Sequence, residues 1–470
     1  MINPPPAFLS AAKDLLGPKG WTEDPEKLLA ASTPWRGTFS GSTPFIARPA
    51  STEEAAALVK LCAAHRVAIT PQGGNTGLVD GGTPHGEVCV SMTRMQAVRE
   101  VDPFNNSMTM EAGATLVMAQ ETAENANRLF PLALGSQGTA TLGGLISTNA
   151  GGVAVLRYGM MRDLILGLEV VLPSGEIWDG LSGLRKNNTG YDLKHLFAGA
   201  EGTLGLITAA TLKLFPKVQR AAAWVVVATA EDVVKLLALV RDHAGDSVTS
   251  FEIIPANAVA MVVADVPGTR DPLPANAAWR VLIEISQPKA AQAEALLTDA
   301  LEAGAEAGLV QDAAIAVSET QAKSFWHIRE TIPLSKRAYG TALNQDISVP
   351  VSRIPAFIEA CNANVRKIVP PADFVIFGHV GDGNLHYNLS QPDAADNAAF
   401  LASQPAVNRI VHDSVHALNG SISAEHGIGQ LKREEILRYK SATEIGLMRT
   451  IRKAIDPAGL MNPGKLPGPR

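Results

Sequence analysis

Three glycine-rich segments in the first half of the chain constrain its fold more than any other feature, because residues without side chains let backbone run against backbone or against a ligand. The first reads Pro71-Gln-Gly-Gly-Asn-Thr-Gly77 and continues to Gly81-Gly82. The second is Leu134-Gly-Ser-Gln-Gly-Thr-Ala-Thr-Leu-Gly-Gly144, followed by Thr148-Asn-Ala-Gly-Gly152. The third is Ala198-Gly-Ala-Glu-Gly-Thr-Leu-Gly205. Consecutive glycines let backbone N–H groups converge on an anion, the physics of a phosphate-binding nest. One such loop is more often a plain surface turn. Three of them between residues 71 and 207 suggest an elongated ligand threaded between backbone segments, with a turn-rich fold as the plainer alternative. No G-x-G-x-x-G occurs, so a Rossmann dinucleotide site is not supported. Gly459-Leu-Met-Asn-Pro-Gly-Lys465 fits only the front of a Walker A motif, since Leu466 stands where Ser or Thr is needed.

The segments between these loops read as short helices and strands. A helix is expected over 7–16 and a strand over 45–47. Ser51-Thr-Glu-Glu then opens a helix to about His65 with capping-box chemistry. Strands are expected at 67–70, 107–112, 168–173 and 209–215, and a helix at 115–127. After Pro216, β-rich runs at 223–228, 278–286 and 313–317 alternate with Ala-rich helices at 230–244 and 289–307, the pattern of a layered α+β domain.

The chemistry-bearing stretch is Phe377-Gly-His-Val-Gly-Asp-Gly-Asn-Leu-His-Tyr-Asn388. Asp382-Gly383 signals a two-residue hairpin turn, which would pair Gly381 with Asn384 and His379 with His386. The two imidazoles would then share one face with Cβ atoms roughly 5 Å apart, and Asn388 would point the same way. Ser423-Ala-Glu-His-Gly-Ile-Gly429 adds a carboxylate and an imidazole. Two His and one carboxylate leave open positions on a metal, as catalytic sites require. Adjacent strand residues face opposite ways, so Glu425 is assigned to the metal and His426 to proton transfer. In Phe325-Trp-His-Ile-Arg329, the Arg lies on the helical face of Trp326, placed either to clamp a carboxylate bidentately or to join a surface ion pair.

Composition narrows the partners. The 470 residues suffice for two or three domains, and a net charge of −6 argues against nucleic acid. Cys62, Cys89 and Cys361 show no C-x-x-C spacing and are expected to be buried thiols of a reducing compartment. The start of the chain lacks a basic segment followed by an apolar core, and no run reaches membrane-spanning length, so the expected location is cytoplasmic.

Taken together, the loops, the His-rich stretch, Glu425-His-Gly-Ile-Gly429 and Asn462-Pro-Gly464 resemble the vanillyl-alcohol oxidase and p-cresol methylhydroxylase superfamily of FAD proteins, in the branch of D-lactate and D-2-hydroxyglutarate dehydrogenases. The resemblance runs from about Pro44 to Leu466. It implies an α+β fold: a two-subdomain FAD-binding domain of the p-cresol methylhydroxylase type plus an α+β cap with an antiparallel sheet. The implied division is an N-terminal helical segment over 1–39, the FAD domain over 40–216, the cap over 217–420 and a returning segment over 421–470. It implies that Gly73, Gly74, Asn75, Thr76 and Gly77 hold the pyrophosphate, and that Gly138, Thr139, Gly144, Asn149 and Ile207 line the flavin. Asn462 is counted with the cofactor residues. Gly74-Asn75 stands where several members attach FAD through a His, so the FAD is expected to be non-covalent. The metal triad carries over as His379, His386 and Glu425, usually with Zn²⁺, His426 as proton acceptor, and Arg329 and Asn388 as substrate contacts.

The expected function is oxidation of a D-2-hydroxy acid, with an electron-transfer flavoprotein or a quinone system as acceptor and a homodimer among the expected assemblies. Relatives acting on hydroxyglutarate carry a Lys two residues before the Asp of Asp346-Ile-Ser and a hydroxyl residue four after the Arg. This chain has Asn344 and Pro333, which weakens the dicarboxylate reading, with Lys336 or Arg337 as compensating candidates. The alternatives are an oxidase or the FAD subunit of a glycolate-oxidase-type complex, a metal-dependent hydrolase using the same His and Glu residues, and a flavin-binding module without turnover.

Overall fold

A computed structural model describes residues 4–35, 37, 40–370, 372–391 and 397–468, with the backbone alone for 336–339. The chain divides into two units: residues 1–152, 159–217 and 425–470 form the first, and 153–158 with 218–424 the second.

The first unit contains two main sheets. One has four strands in the order Trp21–Thr22, Ile46–Ala47, Val88–Ser91, Ile69–Gln72, parallel except at the first pair. The other is antiparallel, in the order Val98–Asp102, Ser107–Glu111, Leu206–Lys213, Ile165–Val171, Ile177–Gly180. The helix Thr52–His65 joins them: its Leu58, Val59 and Cys62 share one core with Val88 and Val90 of the first sheet and Val171 and Leu206 of the second. Its start follows the sequence, since the Ser51 hydroxyl accepts from the Glu54 amide at 3.2 Å. The Glu54 carboxylate, however, accepts from the Ala50 amide, one residue before the cap.

The second unit is built on one seven-stranded antiparallel sheet, in the order Asp312–Ile315, Gln219–Val227, Trp279–Gln287, Val248–Pro255, Asp373–His379, Asn384–Gln391, Thr341–Ser348. The helix Glu319–Tyr339 covers one face and buries Phe325, Ile328 and Ile332 against Trp224, Leu282, Val375 and Phe377. The three cysteines are buried and free, and burial pushes the thiols of Cys62 and Cys89 up to about 12 and that of Cys361 to about 11. Among the described residues no helix is long and apolar enough to cross a membrane.

The hairpin at 379–386 corrects the two-residue expectation. Phe377, not His379, pairs with His386, and Val375 pairs with Asn388. The connection is a turn of 3-10 helix, Val380–Asp382, closed by Gly383 in the left-handed region at φ +84. Asp382 caps its own turn, its Oδ1 accepting from the Asn384 amide at 3.0 Å, and this local bond outcompetes the tighter Asp-Gly turn. The register shift is two residues, and side chains alternate with period two, so His379 and His386 still share a face. Gly383 is also a point of close approach, because a Cβ there would sit 2.2 Å from the Val349 carbonyl oxygen. Gly383→Ala is therefore expected to lower stability by on the order of 3 kcal/mol, read as an earlier midpoint in urea denaturation. An unchanged midpoint would contradict this account of the turn.

Candidate active site

In the first unit the glycine loops converge as their composition suggests. A Cβ on Gly73 would lie 2.1 Å from Thr141 Oγ1, and one on Gly74 would lie 1.9 Å from the Thr139 carbonyl oxygen. The first loop thus lies directly against the second. Among the described residues, no backbone amide from Gly73 to Gly77 donates to a protein acceptor. Cβ atoms added at Gly77 or Gly138 would meet open space. Asn75 takes the left-handed region at φ +52, and its side chain is spent on the Thr33 carbonyl at 3.0 Å. Thr76 is half-buried beside it.

The other expected cofactor residues occupy varied positions. Gly144 lies in the first turn of the helix Leu142–Thr148, where its amide reaches Thr141 Oγ1 at 3.4 Å. Thr139 is exposed. Asn149 ends that helix at φ +50 with its Oδ1 accepting from the Arg162 amide at 2.8 Å, so its side chain shapes the loop. Ile207 is buried in a central strand next to a register shift. Asn462 donates from Nδ2 to the carbonyls of Gly81 at 2.9 Å and Glu201 at 2.7 Å, while its buried Oδ1 has no hydrogen-bond partner among the described residues. Unclaimed amides and glycine-lined space suit the phosphates of a cofactor, whereas the Asn462 oxygen calls for a donor, such as a cofactor hydroxyl or N–H.

Glu201 stands within the third loop, where the sequence alone suggests no role for it. It is the tie between that loop and the returning segment, accepting from the amides of Ile428 at 2.8 Å and Gly429 at 2.7 Å. Burial pushes its carboxyl up to about 6, against these two amides and Lys465, which favour the charge. Lys465 itself is buried, its Nζ donating to the Thr83 carbonyl at 3.0 Å, so its role is structural and the Walker A reading stays excluded.

In the second unit, the helix places Arg329 at 5 % exposure, not in a surface ion pair. Its Nε donates to Glu252 Oε2 at 2.8 Å and its guanidinium lies over the Phe377 ring, 4.7 Å from the centroid. Among the described residues, its Nη1 and Nη2 donate to no protein acceptor. His379 Nδ1 faces Glu252 Oε1 at 2.5 Å, and a ring held through Nδ1 offers a metal its Nε2. The His379 and His386 rings are 5.7 Å apart and nearly perpendicular. Asn388 is buried with Nδ2 donating to the carbonyls of His386 at 3.1 Å and Val375 at 3.3 Å, so Oδ1 is the atom it can offer.

Glu252 is the residue that the sequence reading missed. Its signal was a single acid in the fully buried strand Val248–Pro255. Burial disfavours its charge, but His379 and Arg329 overcome this and hold the carboxyl down to about 2.

Glu425 and His426 open the segment that returns to the first unit. The backbone there consists of bends, so the strand alternation used to separate their roles does not apply. Asn344 is half-buried opposite Asn388 in the sheet, and Pro333 is exposed. The side chains of Lys336 and Arg337 lie outside the described residues.

Comparison with known families decides the class. The family described as FAD linked oxidases, C-terminal domain, matches residues 216–466, and the FAD binding domain matches residues 43–180. The chain belongs to the FAD-linked oxidase family. The two FAD-linked domains make this chain an FAD-binding oxidoreductase, in place of the hydrolase alternative. The chain is 35% identical over 460 residues to the mitochondrial D-2-hydroxyglutarate dehydrogenase of Arabidopsis thaliana, covering 97% of this chain and 81% of that protein. It is 36% identical to D-2-hydroxyglutarate dehydrogenase of Stutzerimonas stutzeri, covering 98% and 99%. Among solved structures it is similar to p-cresol methylhydroxylase with substrate bound, with a TM-score of 0.77 at 15% identity over 99% and 98% of the two chains. It is also similar to alkyldihydroxyacetonephosphate synthase, with a TM-score of 0.75 at 18% identity over 98% and 86%. These two likenesses show the fold.

The raised Glu201 carboxyl gives a pH signature for this family member. Its stabilising contribution is complete below the ordinary carboxylate value of 4.5 and is lost as pH rises through about 6. The expected loss is about 2 kcal/mol across that window. Urea midpoints of the wild type should fall from pH 4.5 to 6.5, and Glu201→Gln should flatten that slope. A slope that survives the substitution assigns the effect to other groups.

Proposed function

We propose that this protein is an FAD-dependent dehydrogenase that oxidises a D-2-hydroxy acid, of the D-2-hydroxyglutarate or D-lactate type, to the 2-oxo acid. The observation that carries the reading is the buried arrangement on the second unit's sheet. Glu252 fixes one edge of Arg329 and one nitrogen of His379, while the two Nη atoms of Arg329 find no protein acceptor among the described residues. A fixed guanidinium with two open donors fits a carboxylate bidentately. The relatives named D-2-hydroxyglutarate dehydrogenase, aligned over nearly the full chain, support the same substrate class.

The roles divide as follows. Gly73 to Gly77 present amides to the cofactor pyrophosphate, and Gly138, Thr139, Gly144, Asn149, Ile207 and Asn462 form the rest of its cradle. Arg329 binds and orients the substrate carboxylate, and Asn388 Oδ1 accepts from a substrate hydroxyl. His379, His386 and Glu425 are the donor set for a divalent metal such as Zn²⁺, two imidazoles and one carboxylate that leave room for substrate. FAD held there would supply the acceptor for the C2 hydride, and a metal on those three side chains would favour negative charge on the 2-oxygen. His426, as a neutral imidazole, takes the hydroxyl proton. We assign the cofactor as non-covalent, and an electron-transfer flavoprotein or a quinone system as the acceptor.

Anaerobic titration of the purified protein with D-2-hydroxyglutarate, D-lactate and their L-isomers, with and without EDTA, tests this. One D-isomer is expected to bleach the flavin band, and EDTA to slow the bleaching. Arg329→Met should raise KM about 10- to 100-fold, the loss of on the order of 1.5–3 kcal/mol for hydrogen bonds to a charged group. His426→Ala should lower the rate of flavin reduction on the order of 10²- to 10⁴-fold. Bleaching by none of these acids in a flavin-loaded protein would defeat the reading.

A further inference from the structure

Glu252 has no assigned role in the chemistry, yet it is the most enclosed charge near the proposed substrate residues. Its exposure is 0%, and its strand is the direct sheet neighbour of the strand that ends in His379, with Glu252 and His379 paired in register. Its two oxygens are divided: Oε1 meets His379 Nδ1 at 2.5 Å and Oε2 meets Arg329 Nε at 2.8 Å. Phe377 completes the set, with its ring 4.7 Å from the Arg329 guanidinium and 4.9 Å from the His386 ring.

We propose that Glu252 is a positioning residue that sets the metal ligand His379 and the carboxylate clamp Arg329 with a single buried carboxylate. The proposal rests on the reading of His379 as a metal ligand and Arg329 as a substrate contact. A carboxylate is required because both neighbours donate. It accepts the Nδ1 proton of His379, which turns Nε2 outward as the lone-pair donor a metal needs, and with its other oxygen it accepts the Nε proton of Arg329. A Gln offers one accepting oxygen and one donating nitrogen. If that nitrogen faces His379, the ring must move its proton to Nε2 and loses its lone pair for metal. If it faces Arg329, two donors collide and the guanidinium is displaced. Asp is one methylene shorter and reaches one partner, not both.

The experiment uses the FAD-loaded protein. Zn²⁺ affinity is measured by competition with a chelator in the wild type, Glu252→Gln, Glu252→Asp and Arg329→Met, alongside KM, kcat, flavin content and circular dichroism. Loss of a carboxylate behind a ligating His weakens metal binding about 10- to 100-fold, so Glu252→Gln is expected to do so and to raise KM as well, with flavin content intact. Arg329→Met is expected to raise KM and leave Zn²⁺ binding unchanged, because the Glu252–His379 bond persists. If Glu252→Gln binds Zn²⁺ and substrate as the wild type does, the proposal is overturned and Glu252 is a structural ion-pair partner only. Should the Glu252 variants fail to fold, ring-nitrogen NMR of the wild-type protein decides: a proton on His379 Nδ1 supports the proposal and a proton on Nε2 overturns it. A wild type that binds no Zn²⁺ and is indifferent to chelation defeats the metal reading itself, and the proposal with it. That result is distinguishable because it precedes any substitution.

Discussion

The second unit depends on keeping one carboxylate charged where water does not reach it. An unpaired Glu in a wholly buried strand would be protonated or would break the sheet. Glu252 avoids both because the adjacent strand supplies an imidazole and the covering helix supplies a guanidinium, each within hydrogen-bond distance. Sheet register and helix placement are therefore chemical requirements as well as packing ones. Shifting either element by one residue would leave a buried charge without its partner, a loss of several kcal/mol.

The first unit meets a different constraint. Its glycine-rich loops consist largely of backbone, so their shape has to be imposed by bonds from elsewhere in the chain. Glu201 captures two amides of the returning segment, Asn462 bonds the carbonyls of Gly81 and Glu201, and Lys465 bonds that of Thr83. Residues near the end of the chain thus hold loops from its beginning. The glycines at 73 and 74 allow the first loop to lie against Thr139 and Thr141, and the resulting surface presents amides with no protein acceptor among the described residues.

Much of this was legible in the sequence. The first two glycine loops were legible as places of close backbone approach because glycine's lack of a Cβ is itself the structural signal. The alternation at 377–388 placed His379 and His386 on one face, and that survived an incorrect turn length because a two-residue slip preserves parity. What was not legible has physical reasons. The preference of Asp382 for capping its own turn competes with the Asp-Gly hairpin signal, so the dipeptide alone cannot choose between them. Glu252 lies 127 residues from His379 in sequence, and a lone acid in an apolar strand does not announce which partners will neutralise it. The separation of Glu425 from His426 assumed strand geometry where the backbone bends.

Arg329 shows how the fold and the proposed chemistry meet. It lies in the long helix Glu319–Tyr339, and Pro333 stands four residues beyond it. Proline has no N–H, so the helical bond that would return to the Arg329 carbonyl is missing at that turn. The backbone that carries the guanidinium is therefore held less firmly than in an uninterrupted helix. Its side chain is located instead by the Glu252 carboxylate on one edge and the Phe377 ring on one face, both from strands of the same sheet. The sheet, more than the helix that bears it, fixes where this cation points. A group positioned in this way keeps its geometry through small motions of the helix, which suits a residue whose proposed task is to present two donors to a carboxylate in one orientation.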